Sequence, residues 1–306
     1  MARHLLQRFL LTLPALWLVL TLVFLMIHMV PGDPVEQMLG EGAAPGEIVQ
    51  LRHALGLDQP LWTQYGNYLR QLAHGDLGQS FKFQAPVRRI ILERYPATLS
   101  LAFLALVVCA AIAIPAGILA AYRRGDAADR AVGVFTLFGL AVPNFALGPV
   151  LILVFSIELG WLPVSGRGGP AYYILPAATL GAALAAILTR MVRGSMLEEL
   201  SSDYVRTARA KGLSMSAVLF RHAFRNALIP IITILGLQFG RLLAGTIVTE
   251  TIFSWPGIGR LTVQAISSRD YPLLQGCILV IALSYVIVNL LTDMLYSVID
   301  PRVRLS

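Results

Sequence analysis

Residues 97–122, ATLSLAFLALVVCAAIAIPAGILAAY, decide the fold class of this chain. The stretch contains no charged side chain from its first residue to its last. An α-helix rises 1.5 Å per residue, so about 20 apolar residues cross the roughly 30 Å hydrocarbon core of a bilayer. Residues 97–122 are therefore long enough to span a membrane as one helix.

Five other blocks share this apolar character, at about 9–30, 132–157, 171–192, 228–250 and 274–298. Of the 306 residues, 57% are hydrophobic and only 13% are charged, whereas soluble domains carry about 25% charged residues. These figures exclude intrinsic disorder and a disulfide scaffold, and they predict that Cys109 and Cys277 are buried thiols. We predict an all-α polytopic membrane protein with six transmembrane helices.

The distribution of basic residues predicts how these helices are oriented. If the N-terminus is cytoplasmic, most of the 24 Lys and Arg residues fall in cytoplasmic segments, as the positive-inside rule requires. Both termini are then cytoplasmic, and the net charge of +7 is assigned to loops rather than to nucleic-acid binding. The first block is longer than the apolar core of a signal peptide and lacks a cleavage site, which favours an uncleaved anchor helix.

Residues 31–96 lie between the first two blocks and are predicted to form a small external cap. Helical patterning covers 44–57 and 61–72, while PGDP at 31–34 and HGDLG at 74–78 are typical of turns. A passive linker is the alternative, but disordered linkers are poor in Leu, Trp and Tyr.

The segment 193–227, RGSMLEELSSDYVRTARAKGLSMSAVLFRHAFRNA, is predicted to form a knob on the cytoplasmic face. Ser202 or Asp203 would cap a helix that continues to Ala210, and Gly212 would end it in the left-handed conformation. A second short helix would run from about Ser214 to Phe224. Two short helices joined at a glycine are suited to docking a cytoplasmic partner.

Within this segment, DYVRTARAKG followed by HAFRNALIP resembles the EAA loop in permease subunits of peptide and nickel ABC importers. The general EAA pattern is matched only at Ala208 and Gly212. Further similarity to the peptide-permease form runs along the whole chain, in PGDP, LGLDQPLWTQY (55–65), GDLGQS (75–80), ETIFSWPGIGR (250–260), RDYP (269–272) and the terminal DPR (300–302).

The resemblance implies a type I importer fold in the bacterial inner membrane. Residues 1–96 would form the anchor helix and cap, 97–300 the permease core with five helices, and 301–306 a cytoplasmic tail. It also implies a second permease subunit, two cytoplasmic ATPase subunits and an external solute-binding protein. Contact with the ATPase would involve Arg206, Thr207, Ala208, Arg209, Lys211, Gly212, His222 and Arg225.

Polar residues inside the fifth block are candidates for the translocation pathway. Gln238, Arg241, Gly245 and Thr249 share one face if the block is a single helix. A charged group at membrane depth usually faces a cavity or a partner. Arg241 would therefore line the pathway or, alternatively, form a structural ion pair with Glu250, Asp293 or the partner subunit.

The sequence shows no catalytic motif, so we predict that the chain is not an enzyme and binds no cofactor. The glycines around Arg241 have phosphate-loop spacing, but no lysine follows Gly245, so ATP and Mg²⁺ are expected on the partner subunits. The five histidines are scattered and predict no metal site. The resemblance favours di- or oligopeptides or glutathione as substrate, with nickel or a metal chelate as the alternative. A self-contained secondary transporter is the other class, although the chain shows neither coupling-ion sites nor inverted repeats.

Overall fold

The computed structural model describes residues 2–29, 35, 44–54 and 56–299, and within them the fold is helical. These residues contain one isolated bridge, between Gln79 and Pro86, and no strand. The helices are α1 (Ala2–Met29), α2 (Pro45–Ala54), α3 (Leu61–Ala73), α4 (Val87–Tyr122), α5 (Ala127–Ala141), α6 (Asn144–Leu151, continued by the π-helical stretch Ile152–Glu158), α7 (Ala171–Leu200), α8 (Asp203–Ala210), α9 (Met215–Gly245, with the π-helical stretch Val218–Ala223), α10 (Ile247–Ile252), α11 (Ile258–Ser267) and α12 (Tyr271–Ile299).

Four of these helices, α4, α7, α9 and α12, are long and apolar enough to cross a membrane. Helices α5 and α6 pass the same test as a bent pair, with an angle of 106° between them, and give a fifth candidate span. In α1, the apolar part with described side chains is Thr12–Leu25. The all-α polytopic fold is confirmed, and the count of six spans stays a prediction.

Helices α4 and α7 pack closely because small residues lie between them. A Cβ added at Gly117 would lie 2.6 Å from Cβ of Val192, and one at Gly181 would lie 2.7 Å from the carbonyl oxygen of Ala105. Lipid tails are as apolar as leucine, so helix association in a membrane depends on this kind of close packing. The α4 side of this core includes Cys109, which is buried as predicted.

The start of α4 differs from the sequence prediction. The helix begins at Val87, so the domain boundary placed at residue 96 falls inside it. Its first turns carry Arg88, Arg89 and Glu93, polar residues that hydropathy leaves out of the apolar block but that a helix accommodates. Hydropathy therefore locates the membrane-buried part of this helix and not its start.

The third apolar block, 132–157, is not one straight helix. Helix α5 ends at Ala141, Val142 is extended with ψ of 117°, and α6 begins after Pro143. Proline has no N–H to donate and disfavours helical backbone in the residue before it. Pro143 therefore produces the break.

The segment between α1 and α4 contains two helices where they were predicted, α2 and α3. Helix α2 ends at Ala54, however, and a turn with Gly56 at φ of 66° replaces the last part of the predicted 44–57 helix, whereas α3 matches 61–72. The predicted turn after α3 is also present, since Gly75 and Gly78 have φ of 73° and 78° and Oδ1 of Asp76 accepts a hydrogen bond from the Gly78 N–H. Tyr65 of α3 packs edge-on against Phe24 of α1, with ring centroids 5.1 Å apart. The motifs PGDP (31–34) and DPR (300–302) and the tail 301–306 lie outside the described residues.

Candidate coupling surface and translocation pathway

Helix α8 and the turn after it form the knob predicted from the sequence. Gly212 has φ of 81°, its N–H donates to the carbonyl of Arg209, and the Leu213 N–H donates to the carbonyl of Ala208. These two bonds make a Schellman motif, which requires the left-handed conformation that glycine adopts without steric cost. The helix from Asp203 to Ala210 and its glycine termination are confirmed.

The knob has a buried side and an exposed cationic side. Val205 and Ala208 are buried and pack against Val218 at the start of α9. Ala208 therefore supports the helix from within rather than offering a contact surface. The predicted coupling residues that are exposed here are Arg206, Thr207, Arg209, Lys211 and Gly212.

A polar contact ties the knob to the ends of two membrane helices. The Tyr204 hydroxyl donates a 2.5 Å hydrogen bond to Oε2 of Glu199, which also lies 3.4 Å from Nδ2 of Asn226 on α9. Partial burial and the hydrogen bond to Glu199 raise the pKa of Tyr204, so the hydroxyl keeps its proton. The orientation of α8 is therefore fixed relative to α7 and α9.

The second half of the loop differs from the prediction. Ser214 caps the start of α9, and its Oγ accepts a hydrogen bond from the Ala217 N–H. The helix then continues from Met215 to Gly245 through the π-helical stretch Val218–Ala223, with no turn or loop between them. No glycine or proline lies between Met215 and Phe224, so nothing ends the helix where a separate short element was expected. His222 and Arg225 thus belong to the membrane helix, with Arg225 exposed and His222 partly buried.

The four pathway candidates do not form the single face expected of them. Helix α9 ends at Gly245, and Thr249 belongs to α10. Gln238 and Thr249 are buried, whereas Arg241 and Gly245 are exposed in the isolated chain. The break at Thr246 interrupts the helical periodicity on which the expected face depended.

Of the three partners named for the alternative ion pair, Glu250 and Asp293 do not pair with Arg241, and a pair with the partner subunit stays a prediction. Oε1 of Glu250 accepts hydrogen bonds from the hydroxyls of Thr98 (2.7 Å) and Thr246 (3.1 Å), and Oε2 accepts from the Arg260 backbone N–H (3.0 Å). In the described part of the chain, Arg241 has no ion pair.

Glu250 itself is a residue whose position the sequence reasoning did not explain. Its side chain is 0% exposed, and a Cβ added at Gly257 would lie 2.3 Å from its Oε1. Thr98, which donates to it, also accepts a hydrogen bond from the Ile258 N–H at 2.8 Å. Glu250 therefore anchors the loop 253–258 onto α4. In the sequence, the role of Glu250 is indicated only by its position as an acidic residue at the end of an apolar block, with Gly257 and Gly259 shortly after it.

A second buried carboxylate joins two other motifs of the family resemblance. Asp270 of RDYP is 0% exposed and accepts hydrogen bonds from the Ser80 hydroxyl and from the N–H groups of Lys82 and Leu273. The motif GDLGQS thereby contacts the start of α12. These motifs hold connecting loops in place, and neither is a catalytic arrangement.

Comparison with known families agrees with this architecture. Residues 113–305 match the family described as binding-protein-dependent transport system inner membrane component, and residues 1–102 match the N-terminal membrane component of such systems. The chain belongs to this family. It is a multi-pass inner-membrane permease, and a self-contained secondary transporter is not favoured.

Relatives that match the whole chain are also transport permeases. The glutathione transport system permease protein GsiC of Escherichia coli is 45% identical over 304 residues, covering 99% of both chains, and that of Shigella boydii is 44% identical over the same share. These relatives are permease subunits and not enzymes. Within the described residues, no group of three or more His, Cys, Asp and Glu side chains is placed to hold a metal ion.

Solved structures share the fold of the permease core. An amino acid ABC transporter matches 70% of this chain and 94% of its own chain with a TM-score of 0.52. The MetNI methionine ABC transporter, in an inward-facing conformation, matches 69% of this chain and 96% of its own with a TM-score of 0.56. Both are 16% identical to this chain, so they establish the fold alone.

Proposed function

We propose that this chain is one of two related permease subunits in an ATP-driven importer of small peptides of the glutathione type. The observation that carries this proposal is the 45% identity, over 99% of both chains, to a glutathione transport permease. Two cytoplasmic ATPase subunits and an external solute-binding protein complete the assembly. ATP and Mg²⁺ bind to the ATPase subunits, and this chain binds no cofactor.

The knob is the part of this chain suited to contact the ATPase subunits. Its exposed surface carries Arg206, Arg209 and Lys211, and its buried surface packs on the start of α9. Helix α8 packs on the start of α9, and α9 continues into the membrane. A displacement of α8 by the ATPase subunit would therefore be transmitted to a membrane helix. This continuity gives a physical route from ATP hydrolysis to the pathway.

Co-purification with the products of neighbouring genes tests the assembly. The tagged chain, solubilised in detergent, should retain a second permease and two ATPase subunits. The binding protein from the same system should then bind glutathione or a short peptide in calorimetry. If the binding protein binds a nickel chelate and no peptide, the proposed substrate is wrong but the proposed subunit assembly is unaffected. If the chain purifies without any other subunit, the proposed assembly is wrong.

Labelling of single cysteines tests the proposed orientation. Gln79 is exposed in the segment before α4, and Asp126 is exposed in the turn after it. Gln79→Cys should react with an impermeant maleimide from the periplasmic side, and Asp126→Cys only after the membrane is permeabilised. The native Cys109 and Cys277 are both 0% exposed and give a low background. The reverse labelling pattern would invert the topology.

Within this importer, Arg241 is placed to act on the cargo. The guanidinium is exposed on α9 and lacks an ion pair in the described part of the chain. A fixed positive charge at membrane depth attracts a peptide carboxylate more strongly than it would in water, because the dielectric constant is lower. The charge would lower the barrier for anionic cargo and reject small cations.

Arg241→Gln should therefore slow uptake of anionic peptides about tenfold, corresponding to roughly 1.4 kcal/mol of lost attraction. Assembly and basal ATP hydrolysis should be unchanged. Vesicle uptake and co-purification are measured on the same variant. Arg70→Gln is the control, because Arg70 is an exposed arginine on α3, which is not one of the candidate membrane spans. Poor assembly would indicate a structural ion pair with the partner subunit, and normal uptake with normal assembly would exclude both roles.

A further inference from the structure

A cavity of about 420 Å³ lies between α5 and α7, on the same side of the bundle as the knob. Its lining includes Asp129, Arg130, Gly133, Thr136, Arg190 and Arg193. Helix α5 leads away from the turn 123–126, and α7 leads toward α8, so the cavity lies at the ends of two candidate spans, the bent α5–α6 pair and α7. None of its lining residues belongs to the coupling surface or to the pathway described above.

Two contacts between α5 and α7 define the limits of this cavity. At one end, Nε and Nη2 of Arg193 donate to the two carboxylate oxygens of Asp129 at 2.7 and 2.8 Å. Deeper along the helices, a Cβ added at Gly139 would lie 2.9 Å from Cβ of Ala186, so the helices nearly touch there. Between these contacts, a Cβ at Gly133 would meet no atom within 4 Å. The helices thus contact each other at both limits, and the space beside Gly133 is open.

The charge of the cavity favours an anion. Its lining carries three guanidinium groups (Arg130, Arg190 and Arg193) against the single carboxylate of Asp129, which is a net charge of +2. Asp129 is already occupied by Arg193 and by the Gly125 N–H at 3.0 Å. Arg130 and Arg190 are exposed and have no ion pair in the described part of the chain. Two guanidinium groups therefore remain available to the same ligand.

The surface next to these arginines is strongly apolar. Val134, Leu137 and Phe138, farther along α5, are 52%, 65% and 65% exposed. Leu137 lies about 10 Å along the helix from Arg130, at 1.5 Å per residue. A ligand of matching chemistry has an anionic group at one end and hydrocarbon behind it.

We propose that this cavity binds an anionic phospholipid, with its phosphate between Arg130 and Arg190 and its acyl chains along the exposed face of α5. Guanidinium groups bind phosphate oxygens through charge-assisted hydrogen bonds, and basic pockets between membrane helices accept such headgroups. The Asp129–Arg193 ion pair holds the two helix ends at the spacing that the headgroup requires. This site is separate from peptide transport and does not depend on the substrate.

Native mass spectrometry of the purified complex tests this site. Removing both available charges, in Arg130→Gln with Arg190→Gln, should weaken phosphatidylglycerol binding about 30-fold and remove one bound lipid per copy of this chain. The matched control is Arg70→Gln with Arg88→Gln, two exposed arginines outside the cavity, which should leave the lipid bound. Phosphatidylethanolamine should bind no better to the wild type than to the variant.

A second pair of variants tests the cavity without changing any charge. Gly133→Leu should fill the space and displace the lipid, whereas Gly194→Leu, at a helical glycine with equally open surroundings but outside the cavity, should not. Inorganic phosphate that competes with the lipid at equal concentration would show that the site takes free phosphate instead. The proposal is overturned if the double arginine variant and Gly133→Leu both retain the lipid as the wild type does. It is also overturned if Gly133→Leu loses the second permease subunit, because the cavity would then be a subunit interface.

Discussion

Gly212→Val is expected to lower ATP-driven uptake about tenfold while the complex still assembles and hydrolyses ATP. Gly212 has φ of 81°, and left-handed backbone costs a residue with a Cβ roughly 1–2 kcal/mol, which corresponds to about tenfold in an equilibrium. A Cβ at this position would meet no atom within 4 Å, so the effect arises from the backbone and not from a clash. Valine therefore changes the angle at which α8 leaves α9.

The matched control for this variant is Gly125→Val. Gly125 has φ of 86°, and a Cβ there would also meet no atom within 4 Å, but it lies in the turn between α4 and α5. The Gly125→Val variant therefore introduces the same kind of backbone strain outside the knob. Both variants should lose similar stability, and only Gly212→Val should separate ATP hydrolysis from uptake. Equal uptake in the two variants would contradict the coupling role of the knob.

Glu250→Ala should lower the free energy of unfolding by at least about 3 kcal/mol and leave little folded protein in the membrane. The change removes the acceptor for Thr98, Thr246 and the Arg260 backbone N–H, all of which bond to this carboxylate. The cavity left behind would contain unpaired donors, and each of these costs about 1–3 kcal/mol when buried. Thermal unfolding of the purified complex and its yield measure the effect.

Two further variants separate this loss from a general effect of removing acidic residues. Glu158→Ala removes an exposed glutamate at the end of the π-helical stretch and should leave stability unchanged. Glu250→Gln keeps one acceptor oxygen and should retain part of the stability. If Glu250→Ala unfolds at the temperature of the wild type, the loop 253–258 is held by other contacts.

The elements that could be predicted from sequence are those with a local cause. Asp203 to Gly212 was predicted because the start, the periodicity and the terminating glycine all lie within ten residues of one another. The break at Pro143 also has a local cause, because proline acts on its own neighbours. Apolar length likewise located the membrane helices, since the bilayer sets that length.

The features that sequence reasoning missed depend on distant contacts. The contact that holds Glu250, just after the end of α9, is made by Thr98, which is 152 residues away in the sequence. Ser80 and Asp270 are 190 residues apart, so no local pattern indicates that they form a hydrogen bond. The start of α4 at Val87 was missed because polar first turns do not register in a hydropathy window.

ATP-dependent uptake of labelled glutathione into proteoliposomes is the measurement that tests the central claim most directly. The vesicles contain the complete complex, and the binding protein is supplied on the side proposed to be periplasmic. We expect uptake that requires ATP inside, the binding protein outside and an intact knob, so that Gly212→Val lowers it about tenfold and Gly125→Val does not. Uptake by this chain alone, without ATPase subunits, would contradict the account.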